Sequence, residues 1–127
     1  MLTAAHMSAF VFKILRSVEW EAARQRGVLS GSADDLRDGY IHMSTIEQLE
    51  GTLAKHFAGE AGLILLEIKT EAVSSHLKWE SSRGGALFPH LYGALPLHSV
   101  NRTFSIAMTA SGEHVLPSEL GHVGRNA

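Results

Sequence analysis

The chain has 127 residues, of which 45% are hydrophobic and 19% are charged. This length and composition fit one domain with its own hydrophobic core, and they exclude an intrinsically disordered chain. The formal net charge is −2, and the lysines and arginines are scattered along the chain. Nucleic-acid-binding proteins usually carry a basic stripe, so nucleic acid is not an expected partner.

Cysteine is absent from the chain, which excludes disulfides, thiolate catalysis and zinc sites built on cysteine. No basic region precedes the short apolar patch near the start, so a secretory signal is not expected. The longest apolar run, around 63–66, is far shorter than a membrane span. We therefore expect a cytoplasmic protein without a membrane partner.

Hydrophobic periodicity and turn residues divide the first half of the chain into short elements. In order, the sequence predicts a flexible leader at 1–8, a strand at 10–15, a helix at 18–26, a turn-rich segment at 28–39, a strand at 40–43 and a helix from 46 to about 58. Ser17 and Gly27 supply a cap and a stop for the first helix, whose Trp20 and Ala23 are expected to pack inward.

The second half of the chain is predicted to contain more strand than helix. In order, the pattern predicts a central strand at Leu63–Lys69, a short strand at 77–80, a long ordered loop at 81–96, a half-buried strand at Val100–Met108 and a frayed tail at 109–127. One domain at 9–108 follows from these elements. Its expected fold is α+β, with a small, strongly bent mixed β-sheet flanked by two helices.

The strand at 40–43 and the helix after it predict a first candidate site. The strand period places His42 on the same face as Tyr40. Ser44 and Thr45 can each cap the helix, because an acidic or amide residue follows three positions later. A helix start offers free N–H groups to an anion, and a histidine there can titrate near neutral pH. The alternative is that the hydroxyls only cap the helix while His42 packs in a half-polar core.

A second candidate site lies in the segment WESSRGGALFPHLYG. Its candidate residues are a possible base, Glu80, a possible acid–base group, His90, and possible ligand contacts, Trp79, Ser81, Arg83, Phe88 and Tyr92. A guanidinium can bind carboxylate or phosphate through two hydrogen bonds, and aromatic rings supply stacking surface. The alternative is a structural loop in which Glu80 pairs with Arg83 and the aromatic rings seal the core.

Other histidines and known motifs add little. Five histidines are expected to have no functional role, namely His6, His56, His76, His114 and His122. Phosphate-binding glycine motifs, a helical zinc motif and a serine nucleophile elbow are absent. No metal site is predicted.

Four sequence blocks, FKIL, GYIHMST, LAKHFAG and LKWESSRGGALFPHLYGALPL, resemble the bacterial domain-of-unknown-function family nine-five-two (DUF952) over about 12–100. The resemblance implies a small α+β protein with distant similarity in fold to ADP-ribosyltransferases, which bind NAD between two small sheets. In that wider group a site forms from three strand positions, often His, Tyr or Ser, and Glu. By that resemblance, Lys13 occupies the first position, His42 the second, and Glu80 or His90 the third.

Together these features predict a pocket for a small anionic molecule or nucleotide, with NAD as a candidate cofactor. Arg83 and the helix start at Ser44 and Thr45 would hold the anion. His42 and His90 would be acid–base groups, with Glu80 orienting one of them or acting as a base. The enzyme could be transferase-like. Two alternatives use the same residues, a non-catalytic ligand-binding or interaction module and a cofactor-independent acid–base lyase or isomerase. Turnover would separate the binding module from either enzyme.

Overall fold

The computed structural model describes residues 8–120 of the chain. Its strands and helices, in chain order, are β1 (Phe10–Arg16), α1 (Ser17–Arg26), β2 (Val28–Leu29), α2 (Ala33–Asp38), β3 (Ile41–His42), α3 (Leu49–His56), β4 (Leu63–Lys69), α4 (Thr70–Val73), β5 (Leu77–Ser81), β6 (Leu87–Leu91), β7 (Leu95–Pro96), β8 (Val100–Met108) and β9 (His114–Val115). The predicted leader up to residue 7 and the predicted tail from 121 onward lie outside the described residues. No helix in the described range is long and apolar enough to cross a membrane.

The sheet is antiparallel and strongly curled. Strands pair in the orders β1-β4-β8-β9, β3-β6-β5 and β2-β7, and each pairing is antiparallel. The free edge of β1 meets the chain after β3, because the backbones of Phe12 and Ser44 exchange two hydrogen bonds of 2.8 and 2.9 Å. This bridge joins the four-stranded and three-stranded groups. The predicted α+β class is confirmed, whereas the predicted mixed sheet with only two helices is wrong.

Strand β4 is central, as its apolar sequence predicts. It lies between β1 and β8, and Leu65, Leu66 and Ile68 are fully buried. Leu66 and Ile68 belong to one hydrophobic cluster, and Leu65 belongs to a second one. The strand therefore carries core residues on both faces, since successive side chains point to opposite sides.

The turn-rich segment predicted at 28–39 contains the helix α2. Ser32 caps this helix, because Ser32 Oγ accepts a hydrogen bond from the backbone N–H of Asp35. In return, Asp35 Oδ2 accepts a hydrogen bond from the backbone N–H of Ser32. The helix ends at Gly39, whose φ of 87° is a left-handed conformation that glycine adopts readily. The prediction missed α2 because a six-residue helix is too short to show a period.

The prediction of a long loop at 81–96 is also wrong, since this segment contains β6 and β7. Strand β6 is the middle strand of its sheet and pairs with both β3 and β5. Pro89 lies within β6, and proline is rare in central strands because it donates no backbone hydrogen bond. Gly84 and Gly85 form the turn before β6, with φ values of 64° and 83°.

The described part of the predicted frayed tail is folded. Strand β9 pairs with the end of β8, and Leu120 is buried in the second hydrophobic cluster. The prediction is therefore wrong for 109–120. The segment is mostly polar, so its sequence did not predict the strand pairing and the buried leucine that keep it folded.

Replacing Leu65 by alanine should lower the free energy of unfolding by about 2–5 kcal/mol, because the change leaves a cavity in the central strand. The matched control is Leu36→Ala, since Leu36 is 66% exposed on α2 and should change stability by less than about 0.5 kcal/mol. Chemical denaturation of both variants measures the difference. Equal losses would show that β4 is not the centre of the core.

Candidate functional site

A cavity of about 290 Å³ opens between β1, β3 and β6 on one side and α2 and α3 on the other. We call its buried residues the floor: Phe12, Lys13, Ile14, Asp35, Met43, Ser44, Phe88 and His90. We call its more exposed charged and histidine residues the rim: Arg16, Glu19, Asp34, Arg37, Asp38, Lys55 and His56. Tyr40 and His42 lie between floor and rim and are partly buried.

The structure brings the two predicted segments together. His42 in β3 is the cross-strand partner of His90 in β6, and their ring centroids are 5.6 Å apart. Tyr40 stacks on His90 with a centroid distance of 4.1 Å and an interplanar angle of 23°. The same tyrosine ring lies 4.6 Å from the ring of His42. Strand pairing thus places two histidines and a tyrosine along one wall of the cavity.

The ring of His42 has carboxylate partners at both nitrogens. Nδ1 lies 2.6 Å from Asp35 Oδ1, and Nε2 lies 2.9 Å from Asp38 Oδ2. Both contacts are hydrogen bonds only when both nitrogens carry a proton. His42 therefore presents no unoccupied nitrogen to a ligand in this arrangement. Both ring nitrogens of His42 are therefore used within the protein, and its predicted acid–base role stays a prediction.

The carboxylate of Asp35 is buried at the floor and fully used. It accepts hydrogen bonds from the backbone N–H groups of Ser32 and His42, and it forms a 2.8 Å ion pair with Lys13 Nζ. Burial alone would raise the pKa of Asp35, but the hydrogen bond from His42 and the charge of Lys13 outweigh it and lower that pKa. Lys13 Nζ also donates to the backbone oxygen of His42 at 3.0 Å.

His90 is held differently, because only one of its ring nitrogens has a hydrogen-bond partner among the residues that the structure describes. Nδ1 lies 2.8 Å from Glu80 Oε1, and the hydroxyl of Tyr92 donates to the same oxygen at 2.7 Å. The hydrogen bonds from His90 and Tyr92 lower the pKa of Glu80, while Glu80 raises the pKa of Tyr92 to about 12. Because a carboxylate only accepts, Nδ1 carries the proton. Nε2 has no hydrogen-bond partner among the described residues, and His90 lines the cavity.

The predicted anion site at the start of the second helix is not at the cavity. Thr45 is buried in the predicted capping box, where its N–H donates to Gln48 Oε1 at 2.9 Å. The helix instead lines the cavity with its last turns, through Thr52, Lys55 and His56. Only Ser44 of the predicted hydroxyl pair reaches the floor, where its Oγ lies 2.9 Å from Thr52 Oγ1.

The remaining predicted residues divide between the cavity and its surroundings. Phe88 lines the floor. Trp79 packs against the main hydrophobic cluster, and Ser81 is exposed outside the cavity lining. Tyr92 is not among the lining residues, and its hydroxyl donates to Glu80. The side chain of Arg83 lies outside the described part of the structure, so its predicted pairing with Glu80 or an anion stays a prediction.

Sequence reasoning missed most of the acidic half of the site. Asp35 and Asp38 lie in the segment predicted to be only turns, and His56 was given no role. One signal was present, because Ser32 and Asp35 have the spacing of a capping box. That spacing is a signal for the start of α2, the helix that carries both Asp35 and Asp38.

The Lys, Arg, Asp and Glu charges of the described cavity lining are balanced. Four basic residues, Lys13, Arg16, Arg37 and Lys55, face four acidic residues, Glu19, Asp34, Asp35 and Asp38. The first three of these cations form ion pairs of 2.8–3.1 Å with carboxylates. Among the described lining cations, only Lys55 has no carboxylate within ion-pair distance. The described residues contain no group of three or more His, Asp or Glu side chains that could hold a metal ion.

Replacing Asp35 by asparagine should destabilise the protein by about 3–5 kcal/mol near pH 7, because it leaves the buried Lys13 charge without a partner. The pKa of Asp35 is lowered in the folded state, so its stabilising effect is full above the unfolded value near 4 and is lost as pH falls through the lowered value. The difference between parent and variant should therefore narrow below about pH 4. Denaturation curves at several pH values test this, with Asp34→Asn as the control since that side chain is 64% exposed. A difference that does not change with pH would contradict it.

Comparison with known proteins finds one matching family model and similar solved structures. The model of the family described as "Protein of unknown function (DUF952)" matches residues 14–103. The crystal structure of protein CC0527 from Caulobacter crescentus is 46% identical, with a TM-score of 0.83, over 88% of this chain and 98% of that one. The solution NMR structure of CC0527 is 45% identical, with a TM-score of 0.75, over 90% and 96%. No curated protein matches. The chain therefore belongs to the DUF952 family, as its sequence blocks predict.

Proposed function

We propose that this protein is an acid–base enzyme acting on a small anionic molecule in the cavity, with His90 as the group that transfers the proton. One observation carries the proposal. His90 lines the cavity with one nitrogen bound to Glu80 and the other without a partner among the described residues.

The pair of Glu80 and His90 has the arrangement that acid–base catalysis uses. A carboxylate on one imidazole nitrogen fixes the tautomer and the ring orientation, and it stabilises the ring when the other nitrogen takes a proton. Tyr92 donates to Glu80, and Tyr40 stacks on the imidazole face, so the ring is restrained on two sides. A positioned acid–base group contributes about 10²–10⁴-fold to a rate.

The anionic part of the substrate would bind at the rim. Lys55 supports this, since it lines the cavity and makes no ion pair with a described residue. The balanced lining charge favours a ligand with one negative charge over a highly charged one. Arg83 remains a predicted second contact for the anion.

The size of the cavity favours a small substrate. At about 290 Å³ it lies near the lower end of ligand pockets, which span roughly 300–1,000 Å³. NAD binding and transferase activity follow from the resemblance to ADP-ribosyltransferases and stay predictions. The cofactor-independent lyase or isomerase is the alternative that the pair of His90 and Glu80 favours, because such a reaction can begin with removal of a carbon-bound proton by one base.

The proposal predicts that the protein catalyses proton exchange in a small acid. Lactate and pyruvate, which carry one negative charge each, are incubated with protein in D₂O and followed by proton NMR for loss of carbon-bound hydrogen. His90→Asn should slow the exchange of any responding compound by at least about 100-fold, because the transferring group is gone. The matched control is His76→Asn, since His76 is exposed and outside the cavity lining.

Two results would contradict the proposal. Exchange that survives in His90→Asn would move the chemistry to another residue. Saturable binding of these acids without any exchange would instead favour a binding module.

A further inference from the structure

The ammonium group of Lys13 keeps an unused donor at the cavity floor. Its side chain is only 7% exposed, and an ammonium has three N–H donors. Two of them are used, by Asp35 Oδ2 at 2.8 Å and by the backbone oxygen of His42 at 3.0 Å. The third has no acceptor among the described residues, and Lys13 lines the cavity. Because buried donors are nearly always paired, we expect the third N–H to donate to an oxygen atom in the cavity, from a water molecule or from a ligand that displaces it.

The charge around Lys13 indicates which kind of oxygen fits. Asp35 already balances the ammonium charge, so the floor offers a hydrogen-bond donor without net positive charge. A buried carboxylate would need a charge partner and several donors, and it would lie close to the carboxylate of Asp35. A carbonyl oxygen is neutral and is satisfied by one or two donors. The hydroxyl of Ser44 lies on the same floor, and it can donate a second hydrogen bond to this oxygen when Thr52 is the donor in the bond between the two hydroxyls.

The rest of the floor is apolar. Phe12, Ile14, Met43 and Phe88 are buried there and line the cavity. These side chains suit a carbon skeleton around the polar atom. One donor, one imidazole and an apolar wall together match the few convergent polar groups of a small-molecule pocket.

We infer that the reacting end of the substrate is a carbonyl group, with its oxygen on Lys13 Nζ and a carbon-bound hydrogen beside it that His90 removes. This inference rests on the proposed function and names its substrate class. A carbonyl compound with an anionic group elsewhere would place that group at Lys55 on the rim.

The electrons and protons of this step balance without a cofactor. His90 Nε2 takes the proton from the carbon next to the carbonyl, and the C–H electron pair forms a C=C bond. The carbonyl π electrons move to oxygen, which becomes an enolate. The Lys13 N–H bond to that oxygen strengthens as negative charge develops there. Return of a proton from His90 to the same carbon restores the carbonyl compound with its hydrogen exchanged, and transfer of the proton to oxygen gives the enol.

Two probes of similar size test the class of ligand. Isotope-labelled protein is titrated with cyclopentanone and separately with cyclopentanecarboxylate, and the NMR signals of Lys13, Ser44 and His90 are followed. Cyclopentanone should shift these signals saturably and should bind at least about tenfold more tightly than the carboxylate. Tighter binding of the carboxylate, or no shift of these signals with the ketone, would overturn the inference.

Variants then assign the binding to Lys13. Lys13→Met should weaken cyclopentanone binding at least about tenfold, whereas Lys69→Met should not, since Lys69 is exposed and outside the cavity lining. The double variant Lys13→Met with Asp35→Asn avoids leaving a buried carboxylate unpaired, so it keeps the test valid if the single variant fails to fold. Unchanged ketone affinity in the folded variant would overturn the inference.

His90→Asn separates this inference from the proposed function. It should retain ketone binding while losing proton exchange. Ketone binding without exchange in the parent protein would contradict the proposed function and leave the site at Lys13 intact. Proton exchange in the parent protein, together with unchanged ketone binding in the Lys13 variant, would support the proposed function and contradict the site at Lys13.

Discussion

The buried carboxylate of Asp35 connects the elements on which the candidate site depends. Asp35 belongs to α2, and its oxygens bind Lys13 of β1 and both the backbone and ring of His42 in β3. Moving a carboxylate out of water costs several kcal/mol, which only a full set of hydrogen bonds offsets. Asp35 has that set, so the relative positions of β1, α2 and β3 are defined by one group. The cavity forms where these three elements meet β6 and α3.

The two histidine–carboxylate pairs of the site differ in what they leave available. His42 contacts one carboxylate at each nitrogen, and it belongs to the framework that Asp35 organises. His90 contacts one carboxylate at one nitrogen. Because the two residues are cross-strand partners, the framework histidine positions the strand that carries the other. A rigid framework beside one available imidazole is what acid–base chemistry requires.

The sequence predicts strands with strong patterns and misses those that break local rules. Leu63–Lys69 and Val100–Met108 were predicted with their exact bounds, because each has a sustained apolar pattern. Strand β6 was missed, since proline and nearby glycines signal a loop while tertiary pairing makes a strand. The sequence predicted one pocket that contains both His42 and His90, and the pairing of β3 with β6 brings the two residues together. The pairing of Asp35 with Lys13 could not be predicted, because the two residues are 22 positions apart in the sequence. Asp35 also lies in α2, a helix of six residues that is too short to show a hydrophobic period.

The central claim is that Glu80 holds one nitrogen of His90 and leaves the other available to a ligand. The most direct measurement is the tautomer of His90, read from two-bond couplings of its ring nitrogens by NMR at a pH where the ring is neutral. The account predicts a proton on Nδ1, an unprotonated Nε2, and loss of this single tautomer in Glu80→Gln. A proton on Nε2 in the parent protein, or a tautomer unchanged by Glu80→Gln, would contradict it.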